Sequence, residues 1–276
     1  MTPSSTRCDP FPPGACDTHL HFYDRSYPAD RRAVLHPPDA GPQAYRTYRA
    51  QLGLERLVVV QPTTYGLDNR CQLRGAEDFG ADVRVVVVVD DHVTDAELRR
   101  LTGLGVRGAR FHMLPGGAIP WDLIEAVARR IAPFGWHIQL QLNGSELDAR
   151  VAQLAALPVD VVVDHIGRFM PPVEPDHPSL AALLSLVEQG TGWVKLSAPY
   201  ESSAAGPPDY ADLQPIVELL VDRVPERLLW GSNWPHPGHD RGPTAAELGL
   251  LLHRWVPDAD TRRRMLVGNP AALYAF

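Results

Sequence analysis

The sequence predicts a single (β/α)8 barrel, and three observations carry that expectation. Short β-branched runs alternate with longer amphipathic stretches eight times along 276 residues. Several of the short runs, such as 85–89 and 161–163, are apolar on both faces, as a parallel strand covered by helices requires. Polar residues gather at the carboxyl ends of these runs, and in a barrel those ends converge on one mouth. An open doubly wound sheet is the alternative, but no Gly-x-Gly-x-x-Gly follows the first strand to support it. No linker divides the chain, so residues 1–276 are expected to form one domain, with 1–14 an irregular, proline-rich segment.

In order, strands are expected over 15–21, 56–61, 83–89, 106–111, 137–142, 159–164, 193–197 and 228–231. Helical patterns fill 42–52, 69–79, 95–104, 121–134, 145–157, 179–189, 210–224 and 244–255. Thr94 ahead of Asp95 and Glu97, and Ser145 ahead of Glu146, are helix-start signals. The polar strand ends are His19 and His21, Gln61 and Thr63, Arg110 and His112, Gln139 and Gln141, Asp164 and His165, Lys195 and Ser197, then Asn233 and His236. The tail predicts a short packing helix capped by Asn269, with Pro270 at its first position.

Composition narrows the class. A chain that is 45% hydrophobic can bury a substantial core, and a net charge of −7 offers nothing to nucleic acid or an anionic membrane. Three cysteines without a Cys-x-x-Cys pair argue against a disulfide scaffold or a structural zinc site. Without an apolar leader or a long apolar run, a cytoplasmic protein is expected.

The chemistry centres on Asp17-Thr18-His19-Leu20-His21, read with Gly231-Ser232-Asn233-Trp234-Pro235-His236. Residues i and i+2 of a strand share a face, so His19 and His21 project together. Paired imidazoles suit a metal, a proton relay or a carbonyl-polarising pair. Lys195, flanked by Val194 and Leu196, falls on the barrel-interior face. His92, His177, His239 and His253 fit surface positions.

These two motifs, with Val163-Asp164-His165-Ile166-Gly167-Arg168 and Gly268-Asn269-Pro270-Ala271, resemble the amidohydrolase superfamily, and within it the lactone-processing branch. The resemblance spans essentially the whole chain. Leu114-Pro115-Gly116-Gly117-Ala118 and Tyr200-Glu201-Ser202-Ser203 resemble the isomerases of that branch more than its pyrone lactonases, which carry further basic residues after strand four.

The resemblance implies a metal-independent enzyme acting on a small lactone with a carboxylate, namely an aldaric 1,5-lactone such as that of D-galactarate going to the 1,4-lactone. His19, His21, His165 and Asn233 would be catalytic. Arg110, Arg168, Gln141, Lys195, Tyr200 and His236 would contact substrate, with Arg168 otherwise free to pair with Glu174 or Asp176. Metal-dependent members add a third ligand from the middle strands and an aspartate at strand eight. Gln139, Gln141, Arg110 and Asn233 stand there instead, and the alternative is one zinc on His19, His21 and His165.

Hydrolytic members carry an aspartate base where Asn233 stands, and an amide accepts no proton at neutral pH. Either this protein lacks the base, which favours isomerisation, or an aspartate was replaced, which leaves a hydrolase. A non-catalytic sugar-acid-binding barrel is the third possibility. The oligomeric state is left open.

Overall fold

The structure, a computed structural model, describes residues 8–276. Eight parallel strands follow in sheet order β1 to β8: Cys16–Leu20, Arg56–Val60, Val83–Val87, Val106–His112, His137–Gln141, Val161–Val163, Gly192–Leu196 and Leu228–Trp230. Helices cover the outside: α1 (Pro42–Ala50), α2 (Arg70–Glu77), α3 (Asp95–Gly103), α4 (Ile124–Ile131), α5 (Val151–Ala155), α6 (Pro178–Glu188), α7 (Gln214–Arg223) and α8 (Ala245–Trp255). This is the expected (β/α)8 barrel. Of the irregular segment expected over 1–14, residues 1–7 lie outside the described residues, and 8–14 carry no helix or strand.

The two-faced apolar runs explain themselves in section. Val85, Val87, Leu140, Val161 and Val163 face outward into the helix-covered core, while Val58, Val60, Val86, Val162 and Leu229 face inward. Caps form where the sequence signals them: Thr94 accepts from Glu97 N, and Thr244 and Glu247 form a reciprocal capping box.

The barrel closes between β1 and the segment after β8. His21 N donates to Trp234 O, Asn233 N to His19 O, and Thr18 Oγ1 to Trp230 O, each at 2.8 Å. Asp17 fastens the seam. Its Oδ1 accepts from His19 N and Ser232 N at 3.1 and 2.9 Å, and its Oδ2 from Ser232 Oγ and Tyr45 Oη at 2.5 and 2.9 Å. Burial raises its pKa, and these hydrogen bonds oppose that rise. Gly231 is required at this seam, because a Cβ there would stand 2.6 Å from the Cβ of His19.

Two expected helices form differently. Over 145–157 only α5 is α-helical, because Asn143 caps a 3-10 turn at Gly144–Glu146 and Gly144 N is held by Arg168 O. The tail is longer than expected: α9 (Ala259–Arg263), a π-turn (Arg264–Gly268) and α10 (Asn269–Tyr274) run on continuously. Asn269 lies inside this helical run rather than capping it, and its amide donates to Pro225 O and Leu228 O at 2.9 and 2.7 Å. The wide turn falls just before Pro270, which has no N–H to continue the helical ladder. The packing role stands, since Tyr274 is fully buried against the lower inward-facing layer.

Candidate active site

The strand ends surround a cavity of about 330 Å³ at the carboxyl mouth, reached by side chains from seven strands or the turns after them. Below it lies a sealed floor. A register shift in β1 between Asp17 and Leu20 lets Cys16 pack in the lower layer while His19 and His21 still face inward three and five residues later. Of the pair, His21 lines the cavity and His19 lies beneath it, fully buried.

Lys195 organises the floor. Its ammonium donates to Thr18 O at 2.7 Å and Gln139 Oε1 at 2.8 Å, and stands 3.4 Å from His19 Nδ1 and 3.8 Å from Asp164 Oδ1. Gln139 turns its amide to Asp164 Oδ2 at 3.1 Å, so the side chain is oriented by an ammonium on one side and a carboxylate on the other. Asp164 Oδ1 lies 3.3 Å from His19 Nδ1; the carboxylate therefore faces His19 and not its neighbour His165. Burial pulls the Lys195 pKa down to about 8, with Asp164 opposing. Lys195 does not line the cavity; the expected substrate contact is instead a floor contact.

The walls hold groups with unused valences. His21 Nδ1 lies 2.7 Å from Val60 O, and a carbonyl only accepts, so the proton sits on Nδ1 and Nε2 is bare. Burial, then Arg110, push the His21 pKa down to about 3. His165 Nδ1 pairs with Ser197 Oγ at 2.9 Å, and burial holds its ring and that of His19 neutral. Arg110 donates to Gln61 O at 2.7 Å and Gln141 Oε1 at 2.6 Å, while its Nε has no protein partner. Each terminal nitrogen keeps a second N–H for an anion.

Asn233 sits in the left-handed region at φ 58°, a conformation asparagine tolerates. Its amide donates to Tyr200 Oη at 3.0 Å, and Tyr200 in turn donates to His236 Nδ1 at 2.8 Å. That chain fixes the amide, leaving Asn233 Oδ1 without a protein partner. Tyr200 and His236 do not line the cavity; both stand behind Asn233 and orient it. Trp234 packs on Tyr45 rather than walling the cavity.

At the mouth, the run His165-Ile166-Gly167-Arg168 has φ of 57°, 59°, 79° and 50°. A left-handed conformation at β-branched Ile166 is strained, and such strain is typically held at working sites. The turn brings His165 and Arg168 to the same cavity. Arg168 pairs with Glu201, its Nε and Nη2 each 3.2 Å from Oε2, and not with Glu174 or Asp176. Glu201, His239 and Tyr23 also line the cavity without having been expected as site residues, and His112, one of the polar strand ends, joins them. His112 shows the same i+2 spacing from Arg110 that joins His19 to His21, and its Nδ1 lies 3.2 Å from Gln141 Oε1. His239, expected at the surface, packs on Tyr200 at 4.4 Å and faces Glu201 Oε1 at 3.8 Å.

His19, Asp164 and His165 each offer one donor atom within 4.8 Å of the others. This is not the set the sequence suggested: Asp164 belongs to the group and His21 does not.

The family described as Amidohydrolase matches residues 16–276. D-galactarolactone isomerase of Agrobacterium fabrum is 36% identical over 269 residues, covering 96% of this chain and 92% of that protein. The 2-pyrone-4,6-dicarboxylate hydrolase of Comamonas testosteroni is 34% identical, over 95% of this chain and 90% of its own. An apo crystal structure of an Agrobacterium tumefaciens protein superposes with a TM-score of 0.91 at 35% identity, covering 97% of both chains. The chain belongs to the amidohydrolase family, and it is an enzyme.

Proposed function

We propose that this enzyme is a metal-independent lactone isomerase that converts an aldaric acid 1,5-lactone, such as D-galactaro-1,5-lactone, to the 1,4-lactone. The observation that carries the reading is Asn233: an amide held by Tyr200, at the place where a hydrolase needs a carboxylate to deprotonate water. The likeness to the Agrobacterium isomerase supports the same conclusion.

The cavity residues account for ring contraction without an activated water. Arg110 takes the substrate carboxylate on its spare N–H groups. That anion offsets the guanidinium charge that helps depress His21, and so makes its bare Nε2 more basic. The substrate's own C4 hydroxyl then attacks the C1 carbonyl, and effective molarities for such steps reach about 10⁵ M or more. Its proton passes to His21 Nε2 as the C1–O4 bond forms. In the tetrahedral intermediate both ring oxygens sit on one carbon, so the same proton can return to O5 as the C1–O5 bond breaks. His165, with Nδ1 accepting from Ser197, donates Nε2–H to the oxyanion.

His19, Asp164 and His165 fit a divalent ion poorly. Arg110 and Lys195 each stand 3.8 Å from the one carboxylate, which therefore already faces two cations. The three buried, unpaired cysteines suit a reducing cytoplasm.

Incubating the protein with D-galactaro-1,5-lactone and following carbon NMR tests the reading. The 1,4-lactone is expected to grow in ahead of any linear diacid. Diacid as first product makes the enzyme a lactonase like its hydrolase relatives, and no reaction with any aldaric lactone ends the proposal.

A further inference from the structure

Among the described residues that line the cavity there is one carboxylate, and it is Glu201. The Pro199–Glu201 turn places it, and Glu201 N bonds back to Ala198 O. Its Oε2 is occupied by Arg168, while Oε1 accepts no hydrogen bond among the described residues and has His239 Nε2 at 3.8 Å. The Glu201 side chain is 19% exposed and that of Arg168 16%, so the pair is largely withdrawn from water and weakly screened.

We infer that Glu201 is the specificity-determining residue of this cavity, accepting hydrogen bonds from ring hydroxyls and turning away planar dicarboxylates. An ionised carboxylate only accepts, so it suits a ligand rich in O–H donors. The same group repels a second ligand carboxylate and spends Arg168, the cation that would otherwise receive it. Arg110 remains to hold one anionic group. The cavity is thus matched to a ligand with one carboxylate and several hydroxyls. A site built to bond a hydroxyl discriminates strongly against an analogue lacking it.

This inference rests on the proposed isomerase reading, and the test separates the two. Kinetics with D-galactaro-1,5-lactone, and inhibition by 2-pyrone-4,6-dicarboxylate, are measured in parent, Glu201→Gln and Glu201→Asp. Glutamine keeps the size and one acceptor oxygen but removes the charge and frees Arg168. It is expected to lower kcat/KM for the sugar lactone about tenfold or more, mainly through KM, and to tighten binding of the planar diacid by a similar factor. Aspartate keeps the charge and should retain the parent's preference with reduced activity. If the parent contracts no lactone, the isomerase reading fails; calorimetry of D-galactonate, a polyhydroxy monocarboxylate, and of the pyrone diacid in parent and Glu201→Gln then still reads the selectivity. Preference unchanged within about twofold, or both ligands weakened alike, overturns the role of Glu201.

Discussion

The floor of the barrel mouth and the walls just above it are built from the same inward-facing strand positions, yet they spend their polar groups in opposite ways. On the floor Lys195, Gln139 and Asp164 face one another and Thr18 at hydrogen-bond or ion-pair distance. Although His19 Nε2 and Asp164 Oδ1 make no hydrogen bond, that oxygen lies 3.3 Å from His19 Nδ1 and 3.8 Å from the Lys195 ammonium. On the walls Arg110 Nε and Asn233 Oδ1 have no protein partner, and the Nε2 of His21 is left bare. The floor is a structure that happens to carry charge; the walls are a site. Burial alone does not distinguish them, because His21, His165 and Asn233 are each 2% exposed.

The sharpest way to break this comparison is at Lys195. Lys195→Met leaves the Asp164 carboxylate without its floor cation and deprives Thr18 O and Gln139 Oε1 of a buried donor. Removing one partner of such a buried group typically costs about 3–5 kcal/mol. The urea midpoint should fall accordingly, whereas a fully stable variant would move Lys195 out of the structural layer.

On the wall, Asn233→Asp should change chemistry and leave the fold intact. The new carboxylate loses the N–H that Tyr200 now accepts, so Tyr200 must turn its own proton from His236 toward residue 233. A base then stands beside the reacting carbonyl, and general base assistance is worth roughly 10² to 10⁴ in rate. The variant is expected to open the lactone to the linear diacid measurably faster than the parent. Isomerisation alone, slower and without extra diacid, would mean that Asn233 is not what keeps water inert.

Arg110 tests the anion site. Arg110→Met should raise KM by roughly 10²-fold, the scale of a charge-assisted pair lost at a desolvated site. Lysine should restore only part, because it cannot form the guanidinium fork. Unchanged kcat/KM would point to Arg168 as the anchor.

How much of this was legible beforehand follows the same division. Strand alternation placed the barrel, its mouth, and His21, Arg110 and Gln141 at the cavity, because period-two geometry is local. His165, Arg168 and Asn233 lie past the strand ends in left-handed turns and were legible only through the motifs that carry them. Depth was not legible. His19 and His21 look equivalent in sequence, and only the β1 register shift and the crossing of Lys195 under Thr18 put one below the other. Partners between distant loops were also hidden: Arg168 meets Glu201 rather than a nearby acid, because four consecutive left-handed residues redirect the chain. Asp17 was quoted within a motif, but its work at the β1–β8 seam depends on Ser232, 215 residues away.

Acid tests the buried rings through stability rather than chemistry. In the folded protein burial, as the leading cause, lowers His21, His112 and His137 to about 3 and His236 to about 4. In the unfolded chain the same rings titrate near about 6.5. Between those values the unfolded state binds more protons, so stability is full above about pH 6.5 and declines as pH falls toward 4 and 3. Each ring contributes a slope of up to about 1.4 kcal/mol per pH unit. Urea midpoints at pH 7.5, 5.5 and 4.5 should therefore fall progressively; a flat profile would show that these rings are hydrated.

The smallest expected effect is that of removing metal, and it decides how His19, Asp164 and His165, which meet where floor and wall join, are understood. His19, Asp164 and His165 converge within 4.8 Å, a spacing that a zinc ion could use. Against that, Lys195 stands 3.4 Å from His19 Nδ1 and 3.8 Å from Asp164 Oδ1, so an ammonium already supplies positive charge beside two of the three donors. A divalent ion there would confront Lys195 and Arg110 as well. Prolonged dialysis against a chelator should leave the isomerisation rate within about twofold, and elemental analysis should find less than about half an equivalent of zinc. Lys195→Met supplies the second arm, because removing the ammonium should raise zinc affinity at these donors relative to the parent. Activity lost on chelation and restored by zinc would instead make the floor a metal site, with Lys195 its neighbour rather than its substitute.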